Sequence, residues 1–187
     1  PNVTPAAWTS EPAATAAAFT ECERIAHSHY ENFTLGSRLL PRYLRRHIAA
    51  LYAFARTADD LADEEPDPAR ALAGLDAWER ELEACYAGTP HHPVFVALAD
   101  TVRSFAIPIE PFRRLLTAFR MDVHFTGFAT FDELLHYCEH SANPVGHLVL
   151  HLFGHGDAER QARSDDICSA LQLTNFWQDL AVDLRKG

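Results

Sequence analysis

The stretch Pro41-Arg42-Tyr43-Leu44-Arg45-Arg46-His47-Ile48-Ala49-Ala50-Leu51-Tyr52-Ala53-Phe54-Ala55-Arg56-Thr57-Ala58-Asp59-Asp60-Leu61-Ala62-Asp63 decides how this chain folds. Leu44, Ile48, Leu51, Tyr52 and Ala55 recur at steps of three and four, which lines them along one side of a helix. Pro41 suits the first turn, where its missing N–H costs nothing, and Pro66 predicts an end by Glu65. Carboxylates crowd the last turn, at the negative end of the helix dipole, where they are disfavoured. Asp59 and Asp63 stand four apart on one face and repel by a few tenths of a kcal/mol. With Tyr52 and Arg56 they form a stripe at steps of four, three and four.

A second stripe lies more than a hundred residues on. Gln172, Asn175, Asp179 and Asp183 step by three, four and four, within the signature Asn175-Phe176-Trp177-Gln178-Asp179 and just beyond it; Leu171 and Leu173 lie off the stripe. A solvated acidic helix end would account for one such stripe, but two of matching design call for a function that repays the repulsion. Paired hard oxygen donors suit Mg²⁺, which takes one or two carboxylates and shares its other positions with water and substrate phosphates. The two faces are expected to look at each other across a cavity and clamp a diphosphate.

Composition narrows the alternatives. A formal net charge of -10 in 187 residues excludes a nucleic-acid binder, which needs a basic patch. It also repels an anionic substrate at long range, so metal ions and a few placed cations must reverse the sign locally. With 48% hydrophobic residues the length fits one domain. The four cysteines, Cys22, Cys85, Cys138 and Cys168, form no CxxC pair and read as reduced thiols of a cytosolic protein. No apolar run reaches membrane-spanning length, and no signal-peptide order is visible at the start.

Residues 1–16, rich in Pro, Ala and Thr, read as a loose arm before one domain over 17–187. Further helices are predicted over about 68–87, 92–105, 109–124, 131–140, 144–153, 157–163 and 164–185, separated by turns such as Gly88-Thr89-Pro90, Pro108 and Gly154-His155-Gly156. No stretch alternates like a half-buried strand, so the fold class is all-α. The chain stops at Lys186-Gly187 straight after the second stripe, which reads as a fragment.

These residues carry a family resemblance. Ser37-Arg38-Leu39-Leu40-Pro41, Leu51-Tyr52-Ala53-Phe54-Ala55-Arg56 through Asp59-Asp60-Leu61-Ala62-Asp63-Glu64, Thr130-Phe131-Asp132-Glu133-Leu134 through Tyr137-Cys138, and Gln172 through Asp179 and Asp183 resemble the squalene and phytoene synthase family. Within it, Ser141-Ala142-Asn143-Pro144-Val145-Gly146 is most similar to the bacterial hydroxysqualene synthases of hopanoid biosynthesis. The resemblance implies an isoprenoid (terpenoid) synthase fold with a central cavity, a C-terminal part missing here, and Mg²⁺ held by both acidic helices.

Residue by residue, it implies Asp59, Asp63, Asn175, Asp179 and Asp183 as metal ligands or their support. Arg56, Tyr52, Gln172, Gln178 and the segment containing His29, Tyr30, Asn32 and Phe33 would contact the diphosphate or the start of the prenyl chain, and Asn143 would hold a water or cap a helix. Asp59, Asp63, Asp179, Asp183 and Arg56 carry the chemistry. The chain departs from the family at Gly127 and Phe128, where Arg and Tyr are common, at His140, where many members have Tyr, and at Gln178, commonly Arg.

The expected reaction ionises presqualene diphosphate, rearranges the carbocation and quenches it with water. The alternative is head-to-head condensation of two farnesyl or geranylgeranyl diphosphates to presqualene diphosphate, squalene or phytoene; a non-catalytic prenyl-lipid binder is the second alternative. About two or three Mg²⁺ ions would accompany the diphosphate, and no nucleotide cofactor is expected. Phe33, Phe54, Phe128, Phe131 and Phe153 are candidates for an aromatic wall facing the cation. Expected partners are the prenyl diphosphate, a membrane surface touched transiently and a downstream hydroxysqualene-processing enzyme; the expected location is the cytoplasm, extending to the membrane periphery. His136 and His140, and His147, His151 and His155, repeat at four-residue steps, but no HExxH or cysteine pair completes a zinc set, so they read as surface or cavity-lining groups. Gly154 and Gly156 do not extend to GxGxxG.

Overall fold

The computed structural model describes residues 12–28 and 40–186, with side chains through residue 178. Eight helices and no strand occur among the described residues: α1 Pro12–Ser28, α2 Arg42–Asp63, α3 Pro68–Ala87, α4 Pro93–Ser104, α5 Glu110–Asp122, α6 Phe131–Ser141, α7 Asn143–Leu152 and α8 Ala158–Lys186. The chain divides into two compact units, Pro1–Ile109 and Glu110–Gly187. The division falls just after Pro108, which the sequence marks only as a turn.

Local punctuation explains the helix ends. Asp67 caps α3 by accepting the Ala69 N–H at 3.0 Å, Pro68 follows in the first turn, and Gly88 closes the helix at φ +86°, a conformation that costs other residues energy. His92 caps α4 by accepting the Val94 N–H at Nδ1. At the start of α6 the Thr130 hydroxyl caps the helix by accepting the Glu133 N–H, while the Glu133 carboxylate reaches back to accept the Ala129 N–H, one residue before the cap. Two expectations shift. Helix α1 begins at Pro12, inside the stretch read as a loose arm, because its alanine run favours helix. The helices expected over 157–163 and 164–185 are one, since Arg163-Ser164 contains neither Gly nor Pro to break it.

In the first unit α1 packs on α2 and α4, and α3 on α2 and α4. The centre is aromatic. Phe54 meets Phe95 edge to face at 5.8 Å, Trp78 meets Phe95 at 4.5 Å, and Phe54 stacks on Trp78 at 6.2 Å. Such pairs add about 0.5–1.5 kcal/mol each beyond the area they bury. Phe54 is fully buried there, so it is core rather than the cavity wall expected of it. In the second unit α6 and α7 pack on α5 and α8 packs on α6 and α7, around Phe112, Leu115, Leu116, Cys138, Leu148 and Leu152. The cysteines are free, and burial pushes the Cys22 and Cys85 thiols up to about 12, so both stay protonated. No described helix is long and apolar enough to cross a membrane.

One polar group is built into the first core. His47 is buried; its Nδ1 faces the Thr101 hydroxyl at 3.0 Å while its Nε2 accepts from Arg46 Nε at 3.2 Å. That pattern needs neutral imidazole. Burial, then the Arg46 charge, lowers its pKa against a smaller opposing pull from Asp100. A depressed histidine contributes stability that is fully present above its unfolded value of about 6.5 and is lost as pH falls through the folded value. Urea melts between pH 7.5 and 5 should therefore lose stability toward acid. The slope should be shallower in His47→Gln, the remainder coming from His92 and His151, which burial lowers in the same way.

Candidate functional site

The last turns of α2 carry the first acidic stripe as the periodicity requires. Arg56 reaches forward along its own helix, Nη1 to Asp59 Oδ2 at 3.3 Å and Nη2 to Asp60 Oδ1 at 2.5 Å. The guanidinium is mostly buried, whereas Asp59 stays open to solvent and Asp63 is exposed. No basic residue lies in the last turn of α2, so Arg56 is the cation holding the nearest two carboxylates at the unfavourable end of the dipole. Asp60 is the member the sequence reading left out of the site: it takes Arg56 and leaves Asp59 and Asp63 as the accessible i, i+4 pair. These hard oxygens fit a small divalent cation in donor type and spacing.

Helix α8 carries positions 172, 175, 179 and 183 on one face of an unbroken helix. Gln172 is half-buried, and Asn175 and Gln178 are exposed. The side chains of Asp179 and Asp183 lie outside the described residues, as do His29, Tyr30, Asn32 and Phe33. Phe176 anchors this part of α8, with its ring 6.1 Å from Phe128 and 6.2 Å from Tyr137. Phe125 joins the cluster 4.8 Å from Phe128, and the Tyr137 hydroxyl donates to Asp122 Oδ2 at 3.2 Å. Beside the cluster lies an open groove of about 420 Å³, walled by Met121, Phe125, Phe128 and Tyr137 with the polar Asp132, Glu133 and His136. Phe128, a candidate wall residue, thus lines this groove; Phe131 and Phe153 are exposed and outside its lining. Gly127, φ +112°, makes the turn that delivers Phe128, so the Arg common at this position would be strained on this backbone.

The Ser141-Ala142-Asn143-Pro144-Val145-Gly146 segment joins α6 to α7, with Pro144 in the first turn as expected. Asn143 is not the helix cap; Ala142 holds that place without a side-chain bond, because Asn143 has turned inward, is buried, and accepts the Ser169 hydroxyl at 3.1 Å. The Ser141 hydroxyl is also buried and has no hydrogen-bond partner among the described residues. Gly146 permits close approach of α8: an added Cβ would lie 2.2 Å from Ser164 Oγ and 2.7 Å from Cys168 Sγ. The second histidine series is structural. His147 is buried and donates to Asp165 at 2.7 Å, His151 packs against Gly156, and His155 is exposed.

The chain belongs to the squalene/phytoene synthase family, whose pattern matches residues 26–187. It is 37% identical over 170 residues to the phytoene synthase of Mycobacterium tuberculosis, covering 91% of this chain and 56% of that protein. The crystal structure of squalene synthase HpnC from Alicyclobacillus acidocaldarius matches with a TM-score of 0.87 and 44% identity over 94% of this chain and 66% of that one. A dehydrosqualene synthase crystallised with ligand matches with a TM-score of 0.78 and 32% identity, over 92% of this chain and 60% of that one. The fold is the all-α isoprenoid synthase fold, and the chain spans 56% to 66% of the length of these relatives.

Gly146→Ala should lower stability by about 1–3 kcal/mol through overpacking against α8. Adding Ser164→Ala, which removes the nearer obstacle, should restore part of the loss; thermal melts of both variants test this coupling.

Proposed function

We propose that this chain is part of a Mg²⁺-dependent prenyl-diphosphate synthase that converts presqualene diphosphate to hydroxysqualene. The observation that carries the reading is the Arg56 guanidinium lying against Asp59 and Asp60 with Asp63 free on the same helix end, a cation beside accessible paired carboxylates. Asp59 and Asp63 on one helix, and Asn175, Asp179 and Asp183 on the other, would hold the ions, which supply positive charge to the departing diphosphate. Arg56 would exchange a carboxylate for a diphosphate oxygen, with Tyr52, Gln172, Gln178 and the 29–33 segment contacting the same substrate. The C–O bond breaks with its electron pair leaving on the diphosphate, and the substrate cation rearranges inside an apolar wall to which Phe128 contributes. Water then adds its oxygen to the cation and loses a proton. The buried Ser141 hydroxyl and the Asn143 amide, whose oxygen already accepts from Ser169, are the groups that would hold this water.

Head-to-head condensation to presqualene diphosphate, squalene or phytoene is the second reading, favoured by the phytoene synthases among the relatives. The 44% identity to squalene synthase HpnC favours the squalene side of the family. Location in the cytoplasm or at the membrane edge, and hand-off to a downstream enzyme, belong to the same proposal.

Asp59→Ala and Asp179→Asn in the full-length protein should cut turnover by more than about a hundredfold, since each removes several kcal/mol of transition-state stabilisation. Stability of Asp59→Ala without Mg²⁺ should stay within about 0.5 kcal/mol, the lost Arg56 contact being offset by relieved repulsion. Near-wild-type activity at saturating substrate would make these surface residues.

Presqualene diphosphate and Mg²⁺ without nicotinamide should yield a C30 alcohol, labelled in its hydroxyl when the reaction runs in ¹⁸O water. Squalene formed only with NADPH, or phytoene from a C20 donor, would select the second reading.

A further inference from the structure

The last turns of α6 bring together three groups outside the carboxylate stripes, of which only His136 also edges the aromatic groove. His136, Glu139 and His140 each offer a ligand atom, and these atoms lie within 4.8 Å of one another. The imidazoles stand four residues apart on one helix face with ring centroids 4.6 Å apart. Metal-binding helices present histidines at this spacing, including those with the order H-x-x-E-H found here. Glu139 Oε2 stands 3.3 Å from His136 Nδ1, close to the roughly 3.4 Å between two ligands of a tetrahedral ion with bonds near 2.1 Å.

A second feature distinguishes the trio from a chance surface cluster. His140 Nδ1 donates to the His136 carbonyl at 2.9 Å, which fixes the tautomer and leaves Nε2 as a lone-pair donor. Metal-ligating histidines are held in this way, by a backbone carbonyl or carboxylate on the far ring nitrogen. The electrostatics also favour a cation. The trio lies at the negative, C-terminal end of α6, and the chain carries a net charge of -10.

We infer that His136, Glu139 and His140 form a binding site for a divalent transition-metal ion of the zinc, nickel or copper type. Two imidazoles and one carboxylate select borderline ions over Mg²⁺, which prefers an all-oxygen shell. Three protein ligands leave the remaining positions to water, and the exposure of His136 and Glu139 gives the ion direct entry. Because His136 also lines the apolar groove, a bound ion would pin one wall of that groove.

Calorimetric titration of the full-length protein with NiCl₂ and with ZnCl₂, in saturating MgCl₂ to occupy the carboxylate stripes, tests the assignment, alongside His136→Ala, His140→Ala and Glu139→Gln. The wild type should bind one ion. Each His→Ala change should weaken binding by more than about tenfold, and Glu139→Gln by less, since one of three ligands is lost while the imidazole pair survives. All three side chains lie on the surface or half-buried, so circular dichroism should show wild-type helix content. The melting temperature should rise with Ni²⁺ in the wild type and not in His140→Ala. Co²⁺ should give d–d absorption without a thiolate charge-transfer band. Undiminished binding in both histidine variants, a thiolate band, or no binding by the wild type would overturn the proposal.

Discussion

A guanidinium held against the carboxylates at the C-terminal end of α2 is the constraint around which the first unit is arranged. Arg56 meets Asp59 and Asp60 at the pole of the helix least hospitable to negative charge. Helix propensity does not hold α2 in place there; burial does, through Leu44, Ala50 and Phe54 on its opposite face and the Phe54, Trp78 and Phe95 cluster beneath. The unfavourable charge is thus carried by a helix anchored well away from it. Such an arrangement keeps the carboxylates spaced for a ligand while the protein stands without one.

In the second unit the equivalent anchoring is split between two devices. Gly146 lets α8 lie against α7 at Ser164 and Cys168, and the ring of Phe176, two turns beyond Cys168, packs with Phe128 and Tyr137. Asn143 and Ser169 join the same pair of helices by a hydrogen bond. A small residue, an amide and an aromatic ring therefore fix both the depth and the rotation of the helix that bears the second acidic signature.

Much of this was legible in the chain because its signals are local. The turn at Gly88-Thr89-Pro90 predicts the end of α3, and the three and four residue steps predict the face that carries Asp59 and Asp63. What escaped depends on neighbours distant in sequence. Phe54 carries no mark separating a core ring from a cavity ring; only its contacts with Trp78 and Phe95 decide. Gly146 carries no mark of its partner until Ser164 and Cys168 are seen against it, and Asn143 reads as a water holder or a cap until Ser169 draws it inward. Asp60 escapes a reading built on the four-residue step between Asp59 and Asp63, although it stands four residues on from Arg56 and takes its guanidinium. The His136 and His140 spacing was visible, but the Glu139 side chain swung to His136 is a rotamer, which sequence does not record.

The continuity of α8 has a further consequence for how this part of the chain tolerates change. Over its 29 residues the helix runs about 43 Å without a break, so the seat against Gly146 and the positions 175, 179 and 183 are ends of one rigid shaft. One residue inserted or deleted between Cys168 and Gln172 would turn everything downstream by about 100°, Phe176 and the acidic positions together. Substitutions there are absorbed locally; changes of length are not. The acidic signature is tied to the Gly146 contact by phase, so this stretch of α8 admits drift in residue type but none in residue count.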